Sequence, residues 1–512
     1  MDEPVKTTSL AQAPVLVVGA GIMGAGIAQV AAAAGHRVML YDTREGAAEQ
    51  AKAQLERTLQ ALVAKGRQTP QAAAQTLARV EPLAQLEGAR SAALAVEAIV
   101  ENLAVKRALF VQLEALLGED CILATNTSSI SVTAMANGLR RPQRLVGMHF
   151  FNPVPLMKLV EVVSGLQTDP AVAQAIFELS GQWGKVAVHA RSTPGFIVNR
   201  IARPYYAESL ALLHEQAASP QVLDACLRAV GFRMGPCELM DLIGHDTNYA
   251  VTNSVFEANF YDKRFVPSQV QRELVDAGLL GRKTGRGFYS YPEGPSALPV
   301  AIAGAPATAR EVTVHGQGAV ADFLAQAAST ALMPQGWGPA RARDSAWVGL
   351  AIDGARLVLT DGRCAAELAR TWGTPHLAVF DRPALLPSPP GTALAFAVAP
   401  GAGPAWREDA PAWLAALGFA PLSVSDTPGL VVARTLAMLI NEAADAVLQG
   451  VCTPAGADAA MRLGVNYPAG PFEWLAQWSV AQVCELLDAL DAHYRGERYR
   501  VSPWLRRQAH VA

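Results

Sequence analysis

Two polar residues that could move a proton lie among apolar neighbours between Met148 and Val163. His149 comes near the end of the run RLVGMHFF, and Glu161 interrupts the run KLVEVV beyond an Asn-Pro-Val-Pro segment. This pattern predicts two short strands joined by a proline-bent loop. A buried carboxylate fixes the tautomer of a neighbouring imidazole and stabilises the imidazolium, so the pair can act as a general base and its partner. The two side chains can also simply satisfy each other in a core.

A glycine-rich segment near the N-terminus follows a strand-like run, Val15 to Val18, and precedes a helical pattern that ends near Gly35. Gly19 allows a tight turn, Gly21 lets the backbone approach a pyrophosphate, and Gly24 lets helix and strand pack closely. The sequence therefore predicts a dinucleotide loop, made of Gly19, Gly21, Ile22, Met23 and Gly24.

An acidic residue, Asp42, closes the next strand-like run, His36 to Tyr41. Its carboxylate is expected to accept hydrogen bonds from the adenosine ribose and to repel a 2′-phosphate, which favours NAD over NADP. Arg44 lies two positions further on, so NADP remains the alternative cofactor.

Later strands of the same domain are also followed by polar residues. The patterns predict a long helix from Thr43 to about Arg79, a strand from about Ala93 to Val100, a helix from Ala104 to Leu117 and a strand from Cys121 to Ala124. Ligands of a doubly wound sheet bind beyond the carboxyl ends of its strands, so Glu101, Asn126 and Ser128 are candidates for ligand binding. The hydroxyls at positions 127–129 can alternatively cap the next helix.

Beyond Ser192 the pattern becomes helical as far as Tyr291, and then a small α/β region is expected from Pro292 to about Ser425. No strand-like run in that region is followed by a GxGxxG segment, so we assign it no dinucleotide. Its polar residues Asp361, His376 and Asp381 are interpreted as ordinary loop residues.

The end of the chain repeats the helical part. The segment TPGLVVAR at 427–434 mirrors TPGFIVNR at 193–200, and YPAGPFE later mirrors RMGPCE. Such self-similarity indicates a second copy of one structural unit. Ala433 stands where the first copy has Asn199, so the second copy lacks that amide side chain.

In this order the motifs resemble those of the 3-hydroxyacyl-CoA dehydrogenases. The shared segments, between Val15 and about Tyr291, are GAGIMGAGIA, EAIVENLAVKRALF, ATNTSSI, MHFFNPVPLMKLVEVV and TPGFIVNR. The resemblance implies NAD-linked oxidation of an L-3-hydroxyacyl-CoA to the 3-oxoacyl-CoA. It also implies a Rossmann-type domain followed by an all-α domain that supplies a dimer contact.

Residue roles follow from the same resemblance. The residues that act on the substrate hydroxyl are His149 as base, Glu161 as its partner, Ser128 and Asn199. Those on the cofactor side or in the shared cleft are Asp42, Glu101, Lys106, Asn126 and Asn152. Lys65 is similar in placement to a lysine that meets the phosphates of coenzyme A.

The expected fold is an α/β Rossmann-type doubly wound sheet, then an all-α domain, a small α/β region and a second all-α repeat. Their expected bounds are residues 1–191, 192–292, 293–425 and 426–512. The second helical copy is expected to form an internal pseudo-dimer with the first, and further homo-oligomerisation stays open.

Composition limits the class of protein and its partners. The 512 residues are 51% hydrophobic and 17% charged, and the net charge of -3 argues against a nucleic-acid or anionic membrane partner. Six cysteines without CxxC spacing indicate reduced thiols and no metal site. With no secretion signal and no long apolar run, we expect a cytoplasmic protein without a membrane span.

Two alternatives concern the function. The long form with a second helical copy resembles family members that oxidise 3-hydroxyadipyl-CoA in phenylacetate breakdown, and 3-hydroxybutyryl-CoA is the alternative substrate. A non-catalytic dinucleotide-binding or structural relative is the alternative of another class. It predicts disruption of His149, Glu161 or Ser128, and all three are present.

Overall fold

The computed structural model describes residues 10–295, 298, 309–383 and 388–511, which form two compact units. The first unit runs to Arg200 and also includes Gln449–Val465, whereas the second contains Ile201–Leu448 and the residues from Asn466 onward. The first nine residues and most of the proline-rich stretch that opens the predicted α/β region lie outside the described residues.

The first unit is built on an eight-stranded sheet. Its strands are β1 Val15–Val18, β2 Val38–Tyr41, β3 Val80–Leu83, β4 Leu94–Glu97, β5 Ile122–Thr125, β6 Leu145–Phe150, β7 Leu159–Ser164 and β8 Val186–Arg191. Their order is β3-β2-β1-β4-β5-β6-β7-β8, and neighbours are parallel except for β6 and β7. Short apolar strands buried on both faces are typical of a sheet between two helix layers. The predicted Rossmann-type sheet is confirmed.

Seven helices accompany this sheet before the chain enters the second unit. They are α1 Ile22–Ala33, α2 Ala47–Ala64, α3 Pro70–Ala78, α4 Leu103–Leu116, α5 Val132–Ala136, α6 Pro170–Gln182 and α7 Val198–Ile201. The prediction of one helix from Thr43 to Arg79 was wrong. Thr69 accepts a hydrogen bond from Ala72 N–H at 3.2 Å and Pro70 occupies the first helical turn, so a new helix begins there.

The second unit combines helices with a seven-stranded mixed sheet. Its strands are β9 Val312–His315, β10 Ala340–Ala342, β11 Gly349–Ile352, β12 Ala355–Leu359, β13 Leu377–Phe380, β14 Thr392–Val398 and β15 Phe419–Ser423, in the order β10-β9-β11-β12-β13-β14-β15. The predicted small α/β region therefore contains a second sheet.

The remaining helices divide between the units. Those of the second unit are α8 Arg203–His214, α9 Pro220–Ala229, α10 Pro236–Ile243, α11 His245–Ala258, α12 Gln269–Asp276, α13 Ala319–Leu332, α14 Ala365–Trp372, α15 Pro404–Ala416, α16 Val432–Leu448, α18 Pro471–Trp478, α19 Val480–Tyr494 and α20 Pro503–Ala509. Helix α17, Pro454–Gly464, belongs to the first unit and packs on β7 and β8. The helical domain expected after the nucleotide-binding domain is therefore present.

The two Thr-Pro-Gly segments have the same backbone. Gly195 and Phe196 have φ of +75° and +46°, and Gly429 and Leu430 have φ of +69° and +50°. A left-handed pair of this kind is uncommon when its second residue is not glycine. The repeat spacing is 234 positions (429 minus 195).

A buried carboxylate follows β13 and binds the start of α16. Asp381 is fully buried and accepts the backbone N–H groups of Val431, Val432 and Ala433 at 2.9, 2.7 and 2.9 Å. The first N–H groups of a helix lack intrahelical partners, so a carboxylate there satisfies them. Burial raises the pKa of Asp381 to about 6, although these amides oppose the shift. Asp381 therefore lies in a loop, as interpreted from the sequence, but it is buried there and binds the start of a helix.

Within the second unit, helices α8 and α16 pack against each other and carry buried ion pairs. Glu208 binds Arg434 at 2.6 Å and Arg498 at 2.8 Å, and Arg264 binds Glu442 at 3.3 Å. Glu442 and Arg498 lie one repeat spacing after Glu208 and Arg264. The two pairs are therefore reciprocal, as in a contact between two like subunits.

Candidate active site

His149 and Glu161 face each other on antiparallel strands β6 and β7, where they are direct register partners. His149 Nδ1 lies 2.6 Å from Glu161 Oε2, and Glu161 is fully shielded from solvent. A carboxylate that accepts this hydrogen bond places the imidazole proton on Nδ1 and leaves the lone pair on Nε2. The pair therefore has the arrangement that a proton acceptor with an orienting partner requires.

The second carboxylate oxygen of Glu161 binds the start of α7. Glu161 Oε1 accepts the backbone N–H groups of Ile197 at 3.1 Å and Val198 at 2.9 Å. One carboxylate thus connects the strand that faces His149 to the helix that carries Asn199. Asp381 binds the start of α16 in the same way in the other copy.

The structure also brings Ser128 and Asn199 together. Asn199 Nδ2 donates to the backbone carbonyl oxygen of Ser128 at 3.3 Å, and Ser128 Oγ lies 3.4 Å from the Glu101 carboxylate. Asn126 Oδ1 accepts the backbone N–H of Phe150 at 2.8 Å and so ties the end of β5 to β6. Glu101, Asn126 and Ser128 lie beyond the ends of β4 and β5, where a doubly wound sheet binds its ligands, whereas Asn199 lies in α7.

Glu101 organises the loop after β5. It accepts the Thr127 hydroxyl at 2.6 Å and the Ser129 N–H at 3.2 Å, and Lys106 Nζ lies 3.1 Å away. Burial tends to raise the pKa of Glu101, but the Lys106 charge and these hydrogen bonds outweigh it and lower the pKa. Helix α5 is capped by Ser131.

Glu97 was not predicted as a site residue, because the strand expected here runs on to Val100. The strand ends at Glu97, whose fully buried carboxylate binds Lys106 Nζ at 2.5 Å, the Thr125 hydroxyl at 2.7 Å and Ile99 N–H at 2.8 Å. The single acidic residue inside the apolar run ALAVEAIV was the available signal. Lys106 therefore lies between two carboxylates, which fix its side chain under the loop.

The glycine loop has the geometry of a dinucleotide site. A Cβ on Gly24 would lie 1.7 Å from the Gly19 carbonyl oxygen, and a Cβ on Gly19 would lie 2.4 Å from the Ala98 carbonyl oxygen. A Cβ on Gly21 would meet no described atom within 4 Å, so this side of the loop is open to a ligand. Ile22 opens α1 with 79% of its surface exposed. The open face and the free N–H groups of a helix start suit a pyrophosphate.

Asp42 ends β2 next to this loop. Its carboxylate accepts Ala20 N–H at 2.7 Å and Arg44 N–H at 2.9 Å, and the Arg44 guanidinium approaches to 3.1 Å. Burial tends to raise the pKa of Asp42, but the Arg44 side chain and the two amides outweigh it and hold the pKa below its usual value. Asp42 is therefore ionised at neutral pH and able to accept ribose hydroxyls.

Replacing Asp42 with alanine is expected to narrow the preference for NAD over NADP by about 10- to 100-fold. The change removes the acceptor for the ribose 2′-hydroxyl and releases Arg44 to meet a 2′-phosphate. The measurement is kcat/KM for each cofactor. The Glu81→Ala variant is the matched control, because Glu81 forms an exposed ion pair with Arg37. Equal use of both cofactors by the unaltered enzyme would remove Asp42 from this role.

A cavity of about 800 Å³ adjoins the glycine loop. Its wall is formed by the first turns of α1, by one face of α2 and by the segment from Asn152 to Leu156. Among the described residues it is Arg44, Arg57 and Arg67 that bring positive charge to this wall, whereas Lys65 ends α2 outside it. The cationic residues of α2 and the following turn suit a phosphorylated ligand.

Across the parts of the chain that the structure describes, no group of three or more His, Cys, Asp and Glu side chains is arranged to hold a metal ion. Within the same residues, no helix combines the length and apolar character needed to cross a membrane.

Three family models match this chain. The 3-hydroxyacyl-CoA dehydrogenase NAD-binding domain matches residues 14–193, and the C-terminal domain of the same family matches residues 195–291 and 429–510. The 3-hydroxybutyryl-CoA dehydrogenase reduced Rossmann-fold domain matches residues 357–428. The chain therefore belongs to the 3-hydroxyacyl-CoA dehydrogenase family.

Full-length relatives support this assignment. The chain is 42% identical over 496 residues to a protein of Escherichia coli named 3-hydroxyadipyl-CoA dehydrogenase, with 97% of each chain covered. A crystal structure described as 3-hydroxybutyryl-CoA dehydrogenase from Escherichia coli matches with a TM-score of 0.87 and 40% identity over 98% of each chain. A probable 3-hydroxybutyryl-CoA dehydrogenase of Bacillus subtilis is 40% identical and covers 54% of this chain and 97% of its own length. The predicted enzyme class, an NAD-dependent oxidoreductase of 3-hydroxyacyl-CoA esters, is confirmed.

Proposed function

We propose that this enzyme oxidises 3-hydroxyadipyl-CoA to 3-oxoadipyl-CoA in the breakdown of phenylacetate. The observation that carries the reaction type is the buried His149–Glu161 pair beside Ser128 and Asn199. The observation that favours this acyl group is identity over nearly the whole of both chains with the relative named 3-hydroxyadipyl-CoA dehydrogenase. The alternative substrate is 3-hydroxybutyryl-CoA, which the description of the matching crystal structure favours.

In the proposed reaction the C3 hydroxyl gives its proton to His149 Nε2, the ring nitrogen opposite the one that Glu161 binds. Glu161 stabilises the imidazolium that results. Ser128 and Asn199 hold the reacting oxygen, and the fixed position of α7 keeps the Asn199 amide oriented toward it. NAD, when bound, accepts the hydride from C3.

The chain has residues of suitable type for both nucleotide-containing ligands. Those proposed for NAD are Gly19, Gly21, Ile22, Met23, Gly24, Asp42, Glu101, Lys106, Asn126 and Asn152. For coenzyme A the family resemblance indicates Lys65, and the cavity beside α2 adds Arg57 and Arg67 as candidates. One guanidinium group can donate two parallel hydrogen bonds to the oxygens of a phosphate, whereas a lysine ammonium acts as a point charge. This difference favours Arg57 and Arg67 over Lys65 as ligands of coenzyme A.

The test of the acyl group is NADH formation from a panel of 3-hydroxyacyl-CoA esters that includes dicarboxylic ones. We expect the adipyl ester to have the highest kcat/KM, with the butyryl ester lower. If butyryl esters are turned over far better than adipyl esters, the phenylacetate assignment fails while the dehydrogenase assignment stands. Absence of NADH with every ester would remove both.

We also propose that the chain has a single active site. Ala433 replaces Asn199 in the second copy. Asp381, just after β13, lies opposite Ala395 of β14. At the corresponding positions of β6 and β7, a histidine lies opposite a glutamate. The described strands β13 and β14 therefore place no histidine opposite a carboxylate. Calorimetry is expected to give one NAD per chain, and two per chain would contradict the proposal.

A further proposal concerns the two helical copies, residues 192–292 and 426–512, as an internal pseudo-dimer. It is supported by the packing of α8 on α16 and by the reciprocal pairs Glu208–Arg498 and Glu442–Arg264. Almost all of α16 is buried, as expected of a helix that occupies an interface rather than a surface. The matched domain bounds, with one copy at 195–291 and the other at 429–510, support the same division.

Ending the chain after Glu293 is expected to give a fragment that dimerises or aggregates. The cut removes α16 from α8 and α17 from β7 and β8, so apolar surface is exposed on both units. Size-exclusion chromatography with light scattering, with the full chain as reference, measures the result. A well-behaved monomeric fragment would show that the second copy does not cover an interface.

A further inference from the structure

One segment of the second helical copy, Gln449–Val465, lies in the first unit beside the catalytic strands. The Val451 carbonyl oxygen accepts the backbone N–H of Arg191, the last residue of β8, at 2.9 Å. Helix α17 then packs on β7 and β8. The copy that lacks a base therefore contacts the strand that carries Glu161.

The first specific contact is a hydrogen bond to the residue after Asn199. Arg200 Nη1 donates to Gln449 Oε1 at 2.7 Å. Arg200 is 3% exposed and lies in α7, whereas Gln449 is exposed. The N–H groups at the start of α7 bind Glu161 Oε1, the carboxylate oxygen that does not contact His149. A contact that fixes α7 therefore also fixes the position of this oxygen.

The second contact is the close approach of Gly464 at the end of α17. A Cβ there would lie 2.6 Å from the Leu159 side chain, 3.0 Å from Val198 and 3.6 Å from Phe151. The Phe151 ring centroid is 4.5 Å from that of His149. Phe151 therefore contacts His149 and Val198 binds Glu161, while Leu159 lies two residues before Glu161 on β7, and a side chain at position 464 would contact all three.

The same contacts recur in the second unit, where the described strands β13 and β14 have no histidine opposite a carboxylate. One repeat spacing away, Ser425 N–H binds the Ala217 carbonyl oxygen at 2.9 Å, and Arg434 Nη2 donates to Glu215 Oε1 at 3.5 Å. Glu215 stands where the other contact has Gln449. The contact between Arg434 and Glu215 is therefore a matched control, because it stabilises the fold but lies at no proposed active site.

We propose that Gln449 is a positioning residue of the active site, and that Gln449–Val465 holds α7 so that Asn199 and Glu161 keep their productive geometry. The inference rests on the proposed role of His149 as base. A displacement of about 1 Å at a reacting group can cost roughly 100-fold in rate. The second copy thus supports catalysis by holding α7 in place, although we propose no active site within the second copy itself.

The test compares kcat in Gln449→Ala, Gln449→Glu and the control Glu215→Ala. We expect kcat to fall roughly tenfold in Gln449→Ala, with KM for NAD unchanged, because a displaced α7 costs geometry rather than cofactor binding. Gln449→Glu should restore most of kcat, since a carboxylate also accepts from Arg200. Glu215→Ala should leave kcat near that of the unaltered enzyme.

A second variant, Gly464→Ala, tests the packing contact independently, and the melting temperature of every variant is measured beside its kinetics. Wild-type kcat in Gln449→Ala, whatever the melting temperature, would overturn the role of Gln449, and wild-type kcat in Gly464→Ala would overturn the role of the α17 contact. An equal loss of kcat in Glu215→Ala would overturn it too, since the effect would then be general. Each rate is divided by that of the unaltered enzyme, measured with the 3-hydroxyacyl-CoA ester that gives the highest kcat/KM. The result therefore does not depend on whether that ester is the proposed adipyl ester.

Discussion

Replacing His149 with glutamine is expected to lower kcat by about 100- to 10,000-fold, the usual contribution of a general base. Glutamine retains a polar side chain of similar size but cannot take up the proton of the C3 hydroxyl. NAD binding should be nearly unchanged, because the predicted cofactor loop lies at the end of β1. The measurement is the rate of NADH formation at saturating substrate, together with NAD affinity by fluorescence.

Two further variants make this experiment specific. Glu161→Gln should lower kcat less than His149→Gln, because an amide can still bind the imidazole but does not stabilise the imidazolium. His189→Gln is the matched control, since His189 is exposed on the neighbouring strand β8. Activity close to wild type in His149→Gln would remove His149 from the role of base.

Replacing Glu208 with alanine is expected to lower the free energy of unfolding by about 3–5 kcal/mol, the usual loss when one partner of a buried ion pair is removed. Glu208 and Arg434 are both fully buried, and Glu208 also binds Arg498 and the Tyr499 hydroxyl. Without the carboxylate, Arg498 loses the carboxylate to which it is paired, and Arg434 retains its longer contact with the Glu215 carboxylate. Urea denaturation followed by tryptophan fluorescence measures the difference.

The pH dependence of this difference has a definite sign. Burial tends to raise the pKa of Glu208, but the charges of Arg498 and Arg434 outweigh it and lower the pKa. The contribution is therefore present above the pKa of an unfolded glutamate and is lost as the pH falls through the folded value. The deficit of Glu208→Ala should shrink on acidification. Asp276→Ala, which breaks an exposed pair with Arg272, should change stability little at any pH.

The parts of the site that could be predicted from sequence are those set by local geometry. The strand, glycine loop and helix at the N-terminus follow from short motifs in a fixed order. The His149–Glu161 pairing follows because a short loop joins two antiparallel strands and so fixes their register. The break at Thr69 and Pro70 also had a local signal, a capping threonine before proline, which the helical composition of the segment obscured.

The parts that could not be predicted depend on contacts between distant positions. Asp381 looked like a loop residue because its partners, the amides of α16, come 50 or more positions later. The contact between Arg200 and Gln449 spans 249 positions, and no local pattern specifies it. The cationic residues beside the cavity form a similar case. Sequence spacing alone did not show that Arg57 and Arg67 line the cavity and that Lys65 lies outside it.

The long separation between Arg200 and Gln449 also bears on how the chain folds during its synthesis. At translation rates of about 5–20 residues per second, roughly 12–50 s pass between the two residues leaving the ribosome. During that interval the surface of β7 and β8 that α17 later covers stays open on the nascent chain. Nascent chains stalled before Gln449 should therefore be cleaved by protease near β8, and chains released after Gly464 should resist it. The first unit is therefore completed only after Gln449–Val465 has been synthesised, although the rest of that unit ends at Arg200.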